Sequence, residues 1–123
     1  MQTTPRHIQR TLGRGDVLNY AELTDDFNPI HVDDAFAANT PFGGPIVHGT
    51  LTLTLVWDLL AALYPERSLA GMTVSVRFTA PVMVGETVTA QVLERNDDDA
   101  GRLTIAVLRE DRRPALTAEV ELP

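Results

Sequence analysis

Asp26 and His31 put a carboxylate and an imidazole five residues apart. These are the side chains that take and deliver protons near neutral pH, so the pair suits general acid–base chemistry. As isolated residues they also fit a turn cap and a loop histidine. Metal binding is the other chemistry open to Asp and His. The spacing of Asp26, His31, Asp33 and His48 matches no zinc signature, and we expect no metal. Asp33 and Asp34 fit the capping of a following helix.

The residues around the pair explain how it would be positioned. Asn28-Pro29 lies between Asp26 and His31, and the residue before a proline is pushed out of helical geometry. The resulting bend lets groups from two elements converge on one cavity. His48-Gly49 opens an apolar helix expected from about His48 to Leu63. Free N–H groups at a helix start can hold an oxygen that gains negative charge. Gly49 permits close approach there, and also fits plain relief of packing against a sheet. His48 is expected to fix local geometry by hydrogen bonding. Helical spacing places Leu53, Trp57 and Leu60 on one face with Thr50 beside them, so Thr50 and Trp57 are candidates to meet a ligand that extends from Gly49. Core packing is the other reading of Trp57. Asp58 faces solvent or a subunit boundary, or pairs with an arginine such as Arg77, because an unpaired buried carboxylate is costly.

The elements that carry these residues follow from periodicity. From Gly71 onward the pattern has period two: Met72, Val74, Val76 and Phe78, then Val88, Ala90 and Val92, then Leu103, Ile105 and Val107, then Leu116, Ala118, Val120 and Leu122. Polar turns at 96–101 and 111–114 separate the later runs, and short connections imply an antiparallel meander. Before them, His7–Leu12 reads as a strand. Asp16 can cap a short helix with Leu18, Ala21 and Leu23 facing inward, and Val32–Asn39 reads as a second short helix. The helix from His48 is apolar nearly all round and is expected to be buried. One buried helix wrapped by an antiparallel sheet of about five strands is an α+β architecture.

The 123 residues, 44% hydrophobic, fit one domain over 1–123. There is no cysteine, which removes disulfides, thiolate metal sites and cysteine nucleophiles. With no basic leader followed by an apolar stretch, a cytoplasmic protein is expected. The most apolar segment, Leu51 to Tyr64, is too short to span a bilayer. The net charge is −7, with ten arginines and no lysine. That field argues against nucleic acid or membrane as partner, while leaving a few arginines to hold a local phosphate.

The stretch from Tyr20 to Leu51 resembles the signature of the MaoC-like family of (R)-specific enoyl-CoA hydratases. The matching elements are Asp26-Phe27-Asn28-Pro29-Ile30-His31, Asp33, Phe36-Ala37, Thr40, Phe42-Gly43 and Ile46-Val47-His48-Gly49. The resemblance implies the hot-dog fold, with the helix after His48-Gly49 at its centre, a homodimer, and no metal or other cofactor. It implies reversible hydration of a trans-2-enoyl thioester to the (R)-3-hydroxyacyl thioester on coenzyme A or acyl carrier protein, as in fatty-acid metabolism or polyketide biosynthesis. Asp26 and His31 would act on the water, and the Gly49 N–H on the thioester carbonyl. Asn28, His48, Thr50 and Trp57 would border the substrate, with Trp57 bulkier than the residues usual at this place and so favouring short acyl groups. An acyl thioesterase shares the fold, but the Asp-Asn-Pro-His string belongs to the hydratases. A non-catalytic acyl-thioester binding subunit would not need both Asp26 and His31.

Overall fold

The alternation from Thr73 onward forms strands, and a single apolar helix fills the concave side of the sheet they make. The computed structural model describes residues 7–96 and 101–123. In chain order the elements are β1 (His7–Thr11), α1 (Arg14–Thr24), α2 (Pro29–Val32), α3 (Asp34–Ala38), α4 (Gly49–Leu63), β2 (Thr73–Phe78), β3 (Thr87–Asn96), β4 (Arg102–Leu108) and β5 (Pro114–Glu121). All pairings are antiparallel, and the sheet order is β1-β3-β4-β5-β2.

The sheet is a meander only through β3, β4 and β5. β2 pairs with β5, not with β3, and lies at the opposite edge from β1. The physical reason is in residues 79–86. Pro81 has no N–H with which to continue a ladder, and the segment crosses beneath the sheet instead. Thr79 N–H donates to Ala115 O (2.8 Å), Val47 N–H to Val82 O (2.8 Å) and Gly85 N–H to Leu12 O (2.7 Å). Gly85 sits at φ 97°, a conformation that favours glycine, and turns the chain into β3. Most of the polar turn expected over 96–101 (Asp97 to Ala100) lies outside the described residues.

α4 packs Leu55, Val56, Leu59 and Leu60 onto Val88, Ala90, Ile105, Val107, Leu116 and Ala118, all of them fully buried. Each large side chain so buried contributes about 1.5–3 kcal/mol. The helix is not buried all round, however. Thr50, Trp57 and Ala61 are exposed and Leu53 only half-buried, so one stripe is open. Asp58 pairs with Arg10 of β1 (2.9 Å) and not with Arg77.

α1 starts at Arg14, three residues earlier than the Asp16 cap implies. Gly13 is its N-cap, and Asp16 occupies the third helical position, where its Oδ2 accepts from Gly13 N–H (2.9 Å). Val17 and Ala21 therefore carry the inward face, while Leu18 and Leu23 point outward. The helix expected over Val32–Asn39 is two separate turns. Asp33, extended at φ −112°, ends α2 and caps α3 by accepting from Phe36 N–H (3.0 Å). Asp34, in the first turn of α3, pairs with Arg14 (2.8 Å).

Burial fixes the expected cost of truncation. Leu59→Ala should destabilise by about 2–5 kcal/mol, while Leu23→Ala, at a residue 82% exposed, should stay within about 0.5 kcal/mol. Urea unfolding of the two variants checks this. Equal costs would refute the assigned helix faces.

Candidate active site

Three chain segments meet at the start of α4. α1 ends at Asp25, which is left-handed at φ 55°, and Asp26 N–H then reaches back to Ala21 O (2.9 Å). Asn28 is the N-cap of α2, and its Oδ1 accepts from Ile30 N–H (3.1 Å). With Pro29 at the first helical position, this one-turn helix turns His31 back toward the chain leading into α4. The Asn28 carbonyl thus shapes the backbone between Asp26 and His31, as the Asn-Pro pair implies.

The hydrogen bonds fix the tautomers of both histidines, because each has a carbonyl oxygen as its partner. His31 Nδ1–H donates to Ile46 O (2.7 Å), which leaves Nε2 with a free lone pair. His48 Nε2–H donates to the carbonyl oxygen of Asp26 (3.0 Å). Its Nδ1 is buried without a hydrogen-bond partner among the described residues. The two rings stack at 3.9 Å with planes 27° apart. Acid–base atoms of Asp26, His31 and His48 all lie within 4.8 Å of one another. Asp26 is exposed, His31 half-buried and His48 buried, so the cluster grades from solvent into the core.

These three residues are also the cluster that could in principle ligate a metal ion. Coordination requires each nitrogen to point in its ring plane at an ion about 2.0–2.1 Å away. His31 Nδ1 and His48 Nε2 are already engaged with carbonyl oxygens, so only one nitrogen of each ring is open to an ion. The arrangement is suited to moving protons.

His48 is also the N-cap of α4, and its carbonyl accepts from Leu51 and Thr52 (3.0 and 3.1 Å). The N–H groups of Gly49 and Thr50 have no acceptor among the described residues, as expected at a helix start. Gly49 lets Phe78 close over the helix start, since a Cβ there would stand 3.0 Å from Cε1 of that ring. Beside it runs a groove of about 340 Å³, lined by Phe42, Gly49, Thr52, Phe78, Pro81 and Ala115 among others. A larger depression of about 440 Å³ on the outer sheet face, lined by Thr73, Glu94, Arg102 and Glu119, contains none of the acid–base groups. Trp57 does not line the Gly49 groove; it lies on the open stripe of α4 with Leu53, two turns from Gly49.

Sequence reasoning misses two residues here. Tyr20 on α1 sets its ring edge-on to His48 (5.1 Å between centroids) and donates its hydroxyl to Thr50 Oγ1 (2.7 Å), tying α1 to the first turn of α4. Nothing local marks it, since both partners are about thirty residues away. Phe78, which closes over Gly49, does carry a signal, because it falls on the inward phase of β2.

The chain and its fold have known relatives. The profile of the MaoC-like domain family matches residues 1–112. The chain is 38% identical over 121 residues to an (R)-specific enoyl-CoA hydratase of Aeromonas caviae, covering 94% of this chain and 90% of that protein. It is 36% identical over 85 residues to a 3-hydroxybutyryl-CoA dehydratase of Methylorubrum extorquens, of which it spans about half (54%). Among solved structures, the (R)-hydratase from A. caviae superposes with a TM-score of 0.78 at 37% identity, covering 95% of this chain and 92% of that one.

The contact between Gly49 and Phe78 gives a stability test. Gly49→Ala should cost about 1–3 kcal/mol through overpacking, and most of that cost should vanish in a Phe78→Ala background. Additive costs in a double-mutant cycle by urea unfolding would show that the ring is not what excludes a side chain at 49.

Proposed function

Because the chain belongs to the MaoC-like family and has its hot-dog fold, we propose that it is a hydro-lyase acting on acyl thioesters, reversibly converting a trans-2-enoyl thioester to the (R)-3-hydroxyacyl thioester. The observation that carries this reading is the gathering of Asp26, His31 and His48 within 4.8 Å beside the free N–H of Gly49. Hydration needs a base for the water proton, an acid for the α-carbon, and stabilisation of the enolate oxygen between the two steps. In our reading a water lies between the Asp26 carboxylate and His31 Nε2. One of the pair takes its proton while the hydroxyl bonds to C3. The electrons of the C2–C3 double bond shift toward the thioester oxygen, held by Gly49 N–H. The proton that the pair took from the water is then delivered to C2, which leaves Asp26 and His31 as they began. Dehydration is the reverse sequence.

Asn28 and His48 serve this site by shaping it: Asn28 through the cap of α2, His48 through its bond to the Asp26 carbonyl. Thr50 holds the first turn of α4 through Tyr20. We place the acyl tail along the Leu53–Trp57 stripe, where the indole fills space that a longer chain needs. A second copy of the chain covers that stripe in our reading, with the unpaired edge of β2 beside it, forming a homodimer. Among the described residues no helix is long and apolar enough to cross a membrane, and the cysteine-free chain suits the cytoplasm.

The deciding experiment is loss of enoyl absorbance with crotonyl-CoA and longer enoyl-CoAs. Asp26→Asn and His31→Ala should each lower kcat by roughly 10²–10⁴, with the double variant little worse than either. Near-normal turnover in either single variant would sink the assignment. In the same assay the wild type should prefer C4 over C8, and Trp57→Ala should recover up to roughly fourfold in kcat/KM per added carbon, from about 0.8 kcal/mol per buried methylene. An unchanged chain-length profile would remove Trp57 from the acyl path. Light scattering at micromolar concentration should read two or, for a dimer of dimers, four times the chain mass of 13.5 kDa; an active monomer would refute the assembly.

A further inference from the structure

Most arginines whose surroundings are described are committed. Arg10 pairs with Asp58, Arg14 with Asp34, and Arg109 with Glu86 and Asp111. The guanidinium groups of Arg77, Arg112 and Arg113 have no ion pair or hydrogen bond among the described residues. In a chain of net charge −7 carrying 17 acidic residues, unpaired cations are unusual enough to ask what they face. Two of the three are adjacent, on the turn between β4 and β5.

That turn is built to present them. Arg109 N–H donates to Arg113 O (2.9 Å) and Arg112 N–H to Arg109 O (3.0 Å). Asp111 Oδ1 accepts from Arg113 N–H (2.9 Å). Arg112 sits at φ 70°, where glycine or asparagine is favoured and a long side chain is uncommon. Both arginines are exposed.

The turn leads directly into Pro114 and Ala115. Thr79 donates its hydroxyl to Pro114 O (2.6 Å) and its N–H to Ala115 O (2.8 Å). Thr79 and Ala115 both line the groove that includes Gly49 and Phe78. One apolar groove therefore connects the free N–H at the start of α4 with the base of the two-arginine turn.

We propose that Arg112 and Arg113 bind the phosphate groups of coenzyme A, with the pantetheine arm lying in the groove past Phe78 and Thr79; this rests on the thioester reading above. A thioester held by its carbonyl at Gly49 has two arms. The acyl arm takes the Leu53–Trp57 stripe and the pantetheine arm the groove, which ends beside uncommitted cations suited to phosphate. Coenzyme A, and not acyl carrier protein, is the carrier this favours. A large acidic carrier meets long-range repulsion from an acidic surface, whereas a small ligand engages two local cations.

The test compares crotonyl-CoA with crotonyl-pantetheine, the same thioester without the nucleotide, and uses calorimetry with coenzyme A and 3′,5′-ADP as activity-independent probes. For crotonyl-CoA, Arg112→Ala and Arg113→Ala should each raise KM roughly fivefold, the scale of an exposed charge pair, and the double variant more. The KM of crotonyl-pantetheine should not follow, so the preference for the nucleotide-bearing substrate collapses. Affinity for 3′,5′-ADP should fall by the same factors and weaken with salt. Equal effects on both thioesters, or unchanged affinity for coenzyme A and 3′,5′-ADP, would overturn the proposal. So would a wild-type preference for the crotonyl-acyl carrier protein that depends on the same arginines. If the wild type hydrates no thioester, the hydratase reading fails, and the calorimetry still decides what the arginines bind.

Discussion

The hydrogen bond from His48 Nε2 to the carbonyl oxygen of Asp26 joins the turn after α1 to the start of α4. His48 is fully enclosed, so leaving that N–H unpaired would cost about 1–3 kcal/mol, and the turn is held where the bond can form. Much of the site follows from this one constraint. With His48 fixed, its ring offers a flat apolar face on which His31 stacks, and His31 is then clamped from its other side by Ile46 O. Both imidazoles are thereby locked as single tautomers. His31 Nε2 is the ring nitrogen left without a partner among the described residues.

The same residue links local backbone to the global core. As N-cap of α4, His48 sets where the helix begins, and so which side chains fall on its inward face. A shift of one residue would rotate Leu55 and Leu59 out of the sheet's concavity and Gly49 away from Phe78. The geometry of the Asp26–His31–His48 cluster and the core packing are thus fixed by a single helix register.

The strands and α4 were legible because their signals are local. Period-two alternation gives β2 to β5, and the apolar run gives α4 to within a residue. Asn28-Pro29 likewise announces the bend that brings Asp26 and His31 together. What was not legible depends on contacts far apart in sequence. The β2–β5 pairing is decided by where residues 79–86 can run, not by the length of the turn that follows β2. The start of α1 was misplaced because Asp16 works as well at the third helical position as at the N-cap, and Val17, not Leu18 or Leu23, joins Ala21 on the inward face. Asp58 had several possible arginine partners, and only the docking of β1 selects Arg10. Tyr20 joins the site through partners that no short-range pattern connects to it.

The placement of β1 and β2 at opposite edges has a consequence for how the molecule is assembled. β3, β4 and β5 are neighbours in the chain and can pair early, since closing their short turns costs little entropy. β1 joins β3 across a separation of about 80 residues, and α1, with Asp26 just beyond its end, follows directly from β1. The acid–base cluster is therefore completed by one of the longest loop closures in the chain, a step that high contact order makes slow. The order of the acid–base cluster thus rests on the same long-range closure that docks β1, whereas the β3–β4–β5 meander rests on short turns alone.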